Sequence, residues 1–361
     1  MSLAGLSERS GLPERGIEEV VNGDKELDEK TLAALAKALH VEPHVLLVRS
    51  SPKLVQAIDF RKNNPRPSPM PDGVVNAIGY VEKLSESLVG LSVDLSLSAE
   101  FEAYDGSFGK KDARRLAKKW RSKWGITNEE QIELRSAHKL YSSLRGYIES
   151  IGIFVMHQRF GSEEYAGAYL KVGKGPHAIL INTGGQSKAR KLFTLAHELC
   201  HVIIGKTGLS NSAIAKNKIE TFCNQFAAYL LVPREALLEA IQGRNDSQTF
   251  DSDSFRRLAN RLGVSNQCVV LRLVDEDFID ESQYIKWISM FKGRVPTLDA
   301  GDPPGRGGGA DTTIQAKRTK YGTALLSKIS EAAQRGKIDQ IDIYYLIGLK
   351  PKYQRDLFEG I

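Results

Sequence analysis

The most constraining feature of this chain is nine residues long: Phe193-Thr194-Leu195-Ala196-His197-Glu198-Leu199-Cys200-His201. On a helix, His197 and His201 stand one turn apart. Both imidazoles then leave the same face and can share one tetrahedral metal ion. Glu198, one step from His197, falls beside that metal rather than on it. There it can take a proton from an activated water and later hand it to a leaving amine. The residue types suit zinc, because neutral nitrogen ligands leave the ion enough positive charge to acidify water. The opposite face, Leu192, Leu195, Leu199 and Val202, is apolar enough to be buried. The competing reading is a helix on which two histidines merely align, so a third ligand decides.

That ligand stands on the next helical stretch, residues 219–233. Ile219, Phe222, Phe226 and Leu230 carry core spacing, while Glu220 and Asn224 are i, i+4 neighbours on the other face. Glu220 completes a two-His, one-Glu set with a fourth position left for water. Asn224 is placed to support that set from behind. Cys200 and Cys223 read as small buried hydrophobes. His138, His157, His177, Tyr165 and Arg159 are candidates for stabilising an oxyanion, and the sequence does not choose among them.

Upstream, IGIFVMHQRF, YAGAYLKVG and HAILINT read as three short strands separated by Gly-rich turns. The expected fold class is therefore α+β: a small three-stranded antiparallel sheet packed on the two ligand-bearing helices and flanked by small helical domains. The strand His177 to Asn182 is expected nearest the active helix, where it would hold an extended peptide by strand addition.

At 361 residues the chain is long enough for two or three domains. Residues 1–50 read as short helices, and 51–135 as a Pro-rich connector (RKNNPRPSPMPDG) followed by helices. Residues 136–242 hold the metal-binding core, and 243–298 a helical domain with a turn at Gly263-Val264-Ser265. Residues 299–316 read as a flexible linker, and 317–361 as C-terminal helices. No apolar run is long enough to span a membrane. Three cysteines, an odd number, cannot build a disulfide framework and fit a reducing, cytoplasmic setting.

The net charge of +6 is unevenly placed. Residues 1–50 hold six Lys/Arg against nine Asp/Glu. The densest basic stretch includes Lys110, Lys111, Arg114, Arg115, Lys118 and Lys119. In the helix it predicts, Ala113, Leu116, Trp120 and Trp124 form a core stripe. The basic residues face outward, available to solvent, an acidic partner or nucleic acid.

FTLAHELCH followed by ETFCNQFAAYLLVP resembles the ImmA/IrrE family of metallopeptidases, which are related to thermolysin-like zincins. The strands IGIFV, AGAYL and AILINT, and the helical stretch after the second ligand helix, also fit its pattern. LSERSGLPERGIEEVVNGDKELDEKTLAALAKALHVEP resembles an XRE-type helix-turn-helix from which the usual first helix is missing, as in an N-terminally trimmed domain. The resemblance implies a zincin-like core, with zinc held by His197, His201 and Glu220 and with Glu198 as general base. It also implies a repressor or antitoxin as protein substrate. Cys200 and Cys223 depart from it, at positions where the family often carries Gly and Ala. The alternative function is a DNA-binding transcriptional regulator, or a toxin–antitoxin component, with a structural or regulatory zinc. Against DNA stands the helix that would enter the major groove: Glu14, Glu18 and Glu19 accompany Arg15 alone.

Overall fold

The computed structural model describes residues 3–25, 28–39, 71–206, 208–210, 218–242, 250–290 and 309–359. Its centre is a sheet of four strands in the order β1-β3-β2-β4: β1 (Phe154–Gln158), β2 (Gly167–Lys171), β3 (His177–Asn182) and β4 (Gly208–Ser210). The sheet is mixed, which corrects the expected three-stranded antiparallel arrangement. β3 runs parallel to β1, with Val155 opposite Ile179, and antiparallel to β2, with Ala168 opposite Leu180. β1 and β2 are not a hairpin because the chain between them is tied to the end of β3. The buried Asn182 donates from Nδ2 to the carbonyls of Ser162 and Tyr165 at 2.8 Å each. Its Oδ1 accepts from the backbone N–H of Phe160 at 3.2 Å and of Gly184 at 2.9 Å.

Side chains alternate across this sheet, and both faces are covered. Val155, Tyr169, Ile179 and Ile181 enter one core, while Phe154, Met156, Ala168, Leu170, Ala178 and Leu180 enter the other. The second core is closed by α4 (Asp72–Gly90), α14 (Gly309–Gln334), α15 (Gln340–Ile347) and α16 (Gln354–Phe358). The first is built by α5 (Lys110–Trp124), α7 (Ala137–Ser150), α8 (Lys188–Ile203), α9 (Lys218–Leu231) and α10 (Arg234–Ile241). The helices α11 (Ser252–Leu262), α12 (Asn266–Asp275) and α13 (Glu281–Ser289) extend the same core. Between α5 and α7 lies α6 (Asn128–Leu134), whose buried Gln131 donates to the carbonyls of Leu231 and Leu262.

The flanking helices contribute to the same apolar core as the ligand-bearing helices. Trp120 of α5, Phe255 of α11 and Leu273 of α12 share one apolar cluster with α8 and α9. The boundaries expected at 135/136 and 242/243 divide the sequence but not this core. Helix α14 begins at Gly309, inside the stretch expected to be a flexible linker; residues 299–308 of that stretch lie outside the described residues, as does most of the Pro-rich connector. The N-terminal helices α1 (Leu3–Ser10), α2 (Glu14–Asn22) and α3 (Glu29–Leu39) pack on one another around Ile17, Leu35 and Ala36.

One buried pair gives the fold a pH dependence. Tyr141 Oη and His157 Nε2 are 2.6 Å apart. Burial, with the charges of Arg145 and Lys191, pushes the His157 imidazole down to about 3. The unfolded chain takes up this proton near pH 6.5 while the folded chain does not, so stability falls as pH drops through that window, by about 1.4 kcal/mol per pH unit. His177, pushed down to about 4 by burial and Lys171, acts in the same direction. Denaturant midpoints measured from pH 7 to 4 should fall, with a shallower slope in His157→Phe. An identical slope in the variant would remove His157 as the cause.

Candidate metal centre

Helix α8 starts at Ser187, whose hydroxyl accepts from the backbone N–H of Arg190 at 3.1 Å. Leu192, Leu195, Leu199 and Val202 anchor it in the first core, which aims His197 and His201 at α9. On α9, Phe222, Phe226 and Leu230 bury themselves, leaving Glu220 against the two imidazoles. His197 Nε2 and His201 Nε2 are 3.1 Å apart. Glu220 reaches His197 Nε2 with Oε2 at 3.2 Å and His201 Nε2 with Oε1 at 3.1 Å.

The far side of each ring sets its tautomer. His201 Nδ1 lies 3.0 Å from the carbonyl oxygen of Lys206, which can only accept. His197 Nδ1 lies 2.9 Å from Asn224 Oδ1. Both Nδ1 atoms therefore carry a hydrogen, so each Nε2, turned toward Glu220, is the nitrogen that would ligate as the neutral imidazole. Two such nitrogens and a carboxylate brought this close call for positive charge among them, whether a proton or a metal ion. A tetrahedral zinc with bonds of about 2.0–2.1 Å sets its donors about 3.3 Å apart, close to the spacing found here. These residues fit the ion.

The electrostatics agree. Burial works to raise the Glu220 carboxyl, but hydrogen bonds and charge from His197 and His201 overcome it and hold the group at about 2. Burial also opposes charge on His201, yet Cys223, Glu220 and Glu198 around it keep its imidazole well above the ordinary value. Positive charge at this cluster is stabilised. Glu198, fully buried, follows His197 on α8 and is not one of the three facing donors.

Two backbone features of the site were not singled out from the sequence. Gly205, at φ +63°, reverses the chain after α8 and returns the Lys206 carbonyl to His201. Its signal was a glycine just past a helix end. Gly167 opens β2 directly against Glu198: a Cβ there would lie 2.6 Å from Thr194 Cγ2, 2.9 Å from Leu180 O and 3.0 Å from Glu198 Oε1. Its signal was a glycine inside a strand pattern.

Several residues that stood out in the sequence have other roles in the fold. β3, expected to receive a peptide along its edge, is central and paired on both sides. The strand beside Glu198 is β2, and its outer edge pairs with β4 from Gly167 to Tyr169. His157 and His177 are core partners of Tyr141 and Tyr169, and Tyr165 packs in the second core. Four of the six basic residues singled out on α5 form ion pairs within the chain. Lys110 pairs with Asp275; Arg114 with Asp275 and Glu276 at 3.2 and 2.8 Å; Arg115 with Asp112 at 2.8 Å; and Lys119 with Glu102. Lys111 and Lys118 lie on the same exposed helix surface. On α2, Arg15 is tied to Glu19 at 3.0 Å.

Residues 148–274 match the Peptidase_M78 family model, described as the IrrE N-terminal-like domain. The match runs from the end of α7 through the sheet to α12 and includes His197, Glu198, His201, Glu220 and Asn224. It supports a metallopeptidase domain of the ImmA/IrrE type, and with it a metal. No curated protein matches the chain. Among the described residues, no helix is long and apolar enough to cross a membrane.

Proposed function

We propose that the chain is a zinc-dependent endopeptidase that hydrolyses a peptide bond in a cytoplasmic repressor or antitoxin and thereby controls transcription. One observation carries this reading: the two Nε2 atoms and the Glu220 carboxylate converge within 3.2 Å, with Glu198 beside His197 on the same helix. Zinc, when bound, supplies the Lewis acidity that polarises a peptide carbonyl and lowers the pKa of water.

The protein residues divide the remaining work. His197, His201 and Glu220 hold the ion, while Asn224 and the Lys206 carbonyl keep the imidazoles in the tautomer that can ligate. Glu198 accepts the proton of the attacking water and delivers it to the leaving nitrogen. Its burial keeps bulk water from competing for that proton. DNA readout by the N-terminal helices has no comparable support, since the one arginine of α2 is held by Glu19 and Glu14 and Glu18 remain beside it.

The test is incubation with a repressor encoded beside this chain, with and without chelator. Cleavage should require about one zinc per chain, stop on chelation and return on zinc addition. His201→Ala should lose the metal. Stoichiometric zinc in that variant, or cleavage indifferent to the chelator, would overturn the assignment.

A further inference from the structure

We infer that Cys223 is a fourth protein ligand of this metal centre, able to close the coordination shell that His197, His201 and Glu220 begin. The inference rests on the metal-binding reading above. It changes what was expected of Cys223, a packing role.

The placement is local in origin. Cys223 stands three residues after Glu220 and one before Asn224 on α9, so it shares the side of the helix that meets α8. Its Sγ and one ring nitrogen each of His197 and His201 all lie within 4.8 Å of one another. The thiol is fully buried, between the two ligand-bearing helices. In a tetrahedral site with a zinc–sulfur bond of about 2.3 Å, sulfur and nitrogen donors stand roughly 3.5 Å apart. A side-chain adjustment of about 1 Å therefore covers the separation of Sγ from the two imidazoles.

The chemistry follows from the donor count. Two imidazoles, a carboxylate and a thiolate make four protein ligands, the closed arrangement of structural sites rather than the open one catalysis uses. To ligate, Cys223 would have to give up its thiol proton, and it would then supply a thiolate in the place that water takes in an open site. A methyl group at 223 would fill similar space without offering a donor. The thiolate also biases the site toward softer metals. Cys200, which does not belong to that group of donors, is not assigned as a ligand.

Cobalt(II) added to the full-length chain tests this without any substrate. The wild type should bind one cobalt and show thiolate-to-cobalt charge-transfer absorption in the near ultraviolet. Cys223→Ala should lose that absorption while keeping one cobalt and its visible bands; Cys200→Ala should keep both. One bound cobalt without the charge-transfer band in the wild type would overturn the Cys223 assignment and leave the metal centre standing. So would survival of the band in Cys223→Ala. Failure of the wild type to bind cobalt at all would overturn both.

Discussion

Glu198→Gln should lose roughly 10²–10⁴-fold in turnover, the range a removed general base commonly costs, while keeping its zinc. The substitution preserves the size and planarity of the side chain but removes the proton acceptor. Metal retention follows from the geometry, because the donors that face one another belong to His197, His201 and Glu220. Glu220→Gln should behave in the opposite way. Its two oxygens contact the two Nε2 atoms at 3.2 and 3.1 Å, and an amide would turn an NH₂ group toward one of them. A neutral amide is also a weak zinc ligand, so occupancy itself should fall. Elemental analysis and cleavage rates on both variants separate the roles. Near-full cleavage by Glu198→Gln would remove it as the base. Loss of zinc from Glu198→Gln with retention by Glu220→Gln would exchange the two carboxylates.

The metal centre was readable because its parts obey local rules. Four-residue spacing puts His197 over His201, and Glu220 near Asn224, wherever the segments are helical. The structure then brings these two faces together between α8 and α9. Strand order was not readable in that way. FVM and AILI are continuous apolar runs because both faces of the sheet are covered, so they carry no alternation from which orientation could be inferred. β3 enters between β1 and β2 through contacts remote in sequence, notably those of Asn182 with residues 160–165. The basic face of α5 shows the same limit. Its partners Asp275 and Glu276 lie about 160 residues away along the chain, so these ion pairs could not be read from the local sequence. Amphipathic spacing in α5 announced a buried face without saying which core would bury it.

Gly167→Ala should damage the site where β2 approaches Glu198. The added methyl would meet Leu180 O at 2.9 Å, a backbone atom of the central strand held by the pairing of Ala168 with Leu180. It would also meet Thr194 Cγ2 at 2.6 Å, and Thr194 cannot rotate freely because its hydroxyl donates to the Arg190 carbonyl at 2.9 Å. The remaining neighbour is Glu198 Oε1 at 3.0 Å, so the strain resolves by lifting β2 from α8 or by displacing the base. Overpacking of this kind costs about 1–3 kcal/mol in stability. A displacement near 1 Å at the reacting groups costs roughly 10²-fold in rate. Zinc content should stay unchanged, since Gly167 belongs to β2 and the ligands to α8 and α9. Gly79→Ala is the control: that glycine sits within α4 and an added Cβ meets nothing within 4 Å, so stability should hold or rise and turnover should not move. Denaturant midpoints, zinc content and cleavage rates on the two variants decide the matter. Wild-type stability and turnover in Gly167→Ala would mean that the close approach of β2 to Glu198 does not position the base.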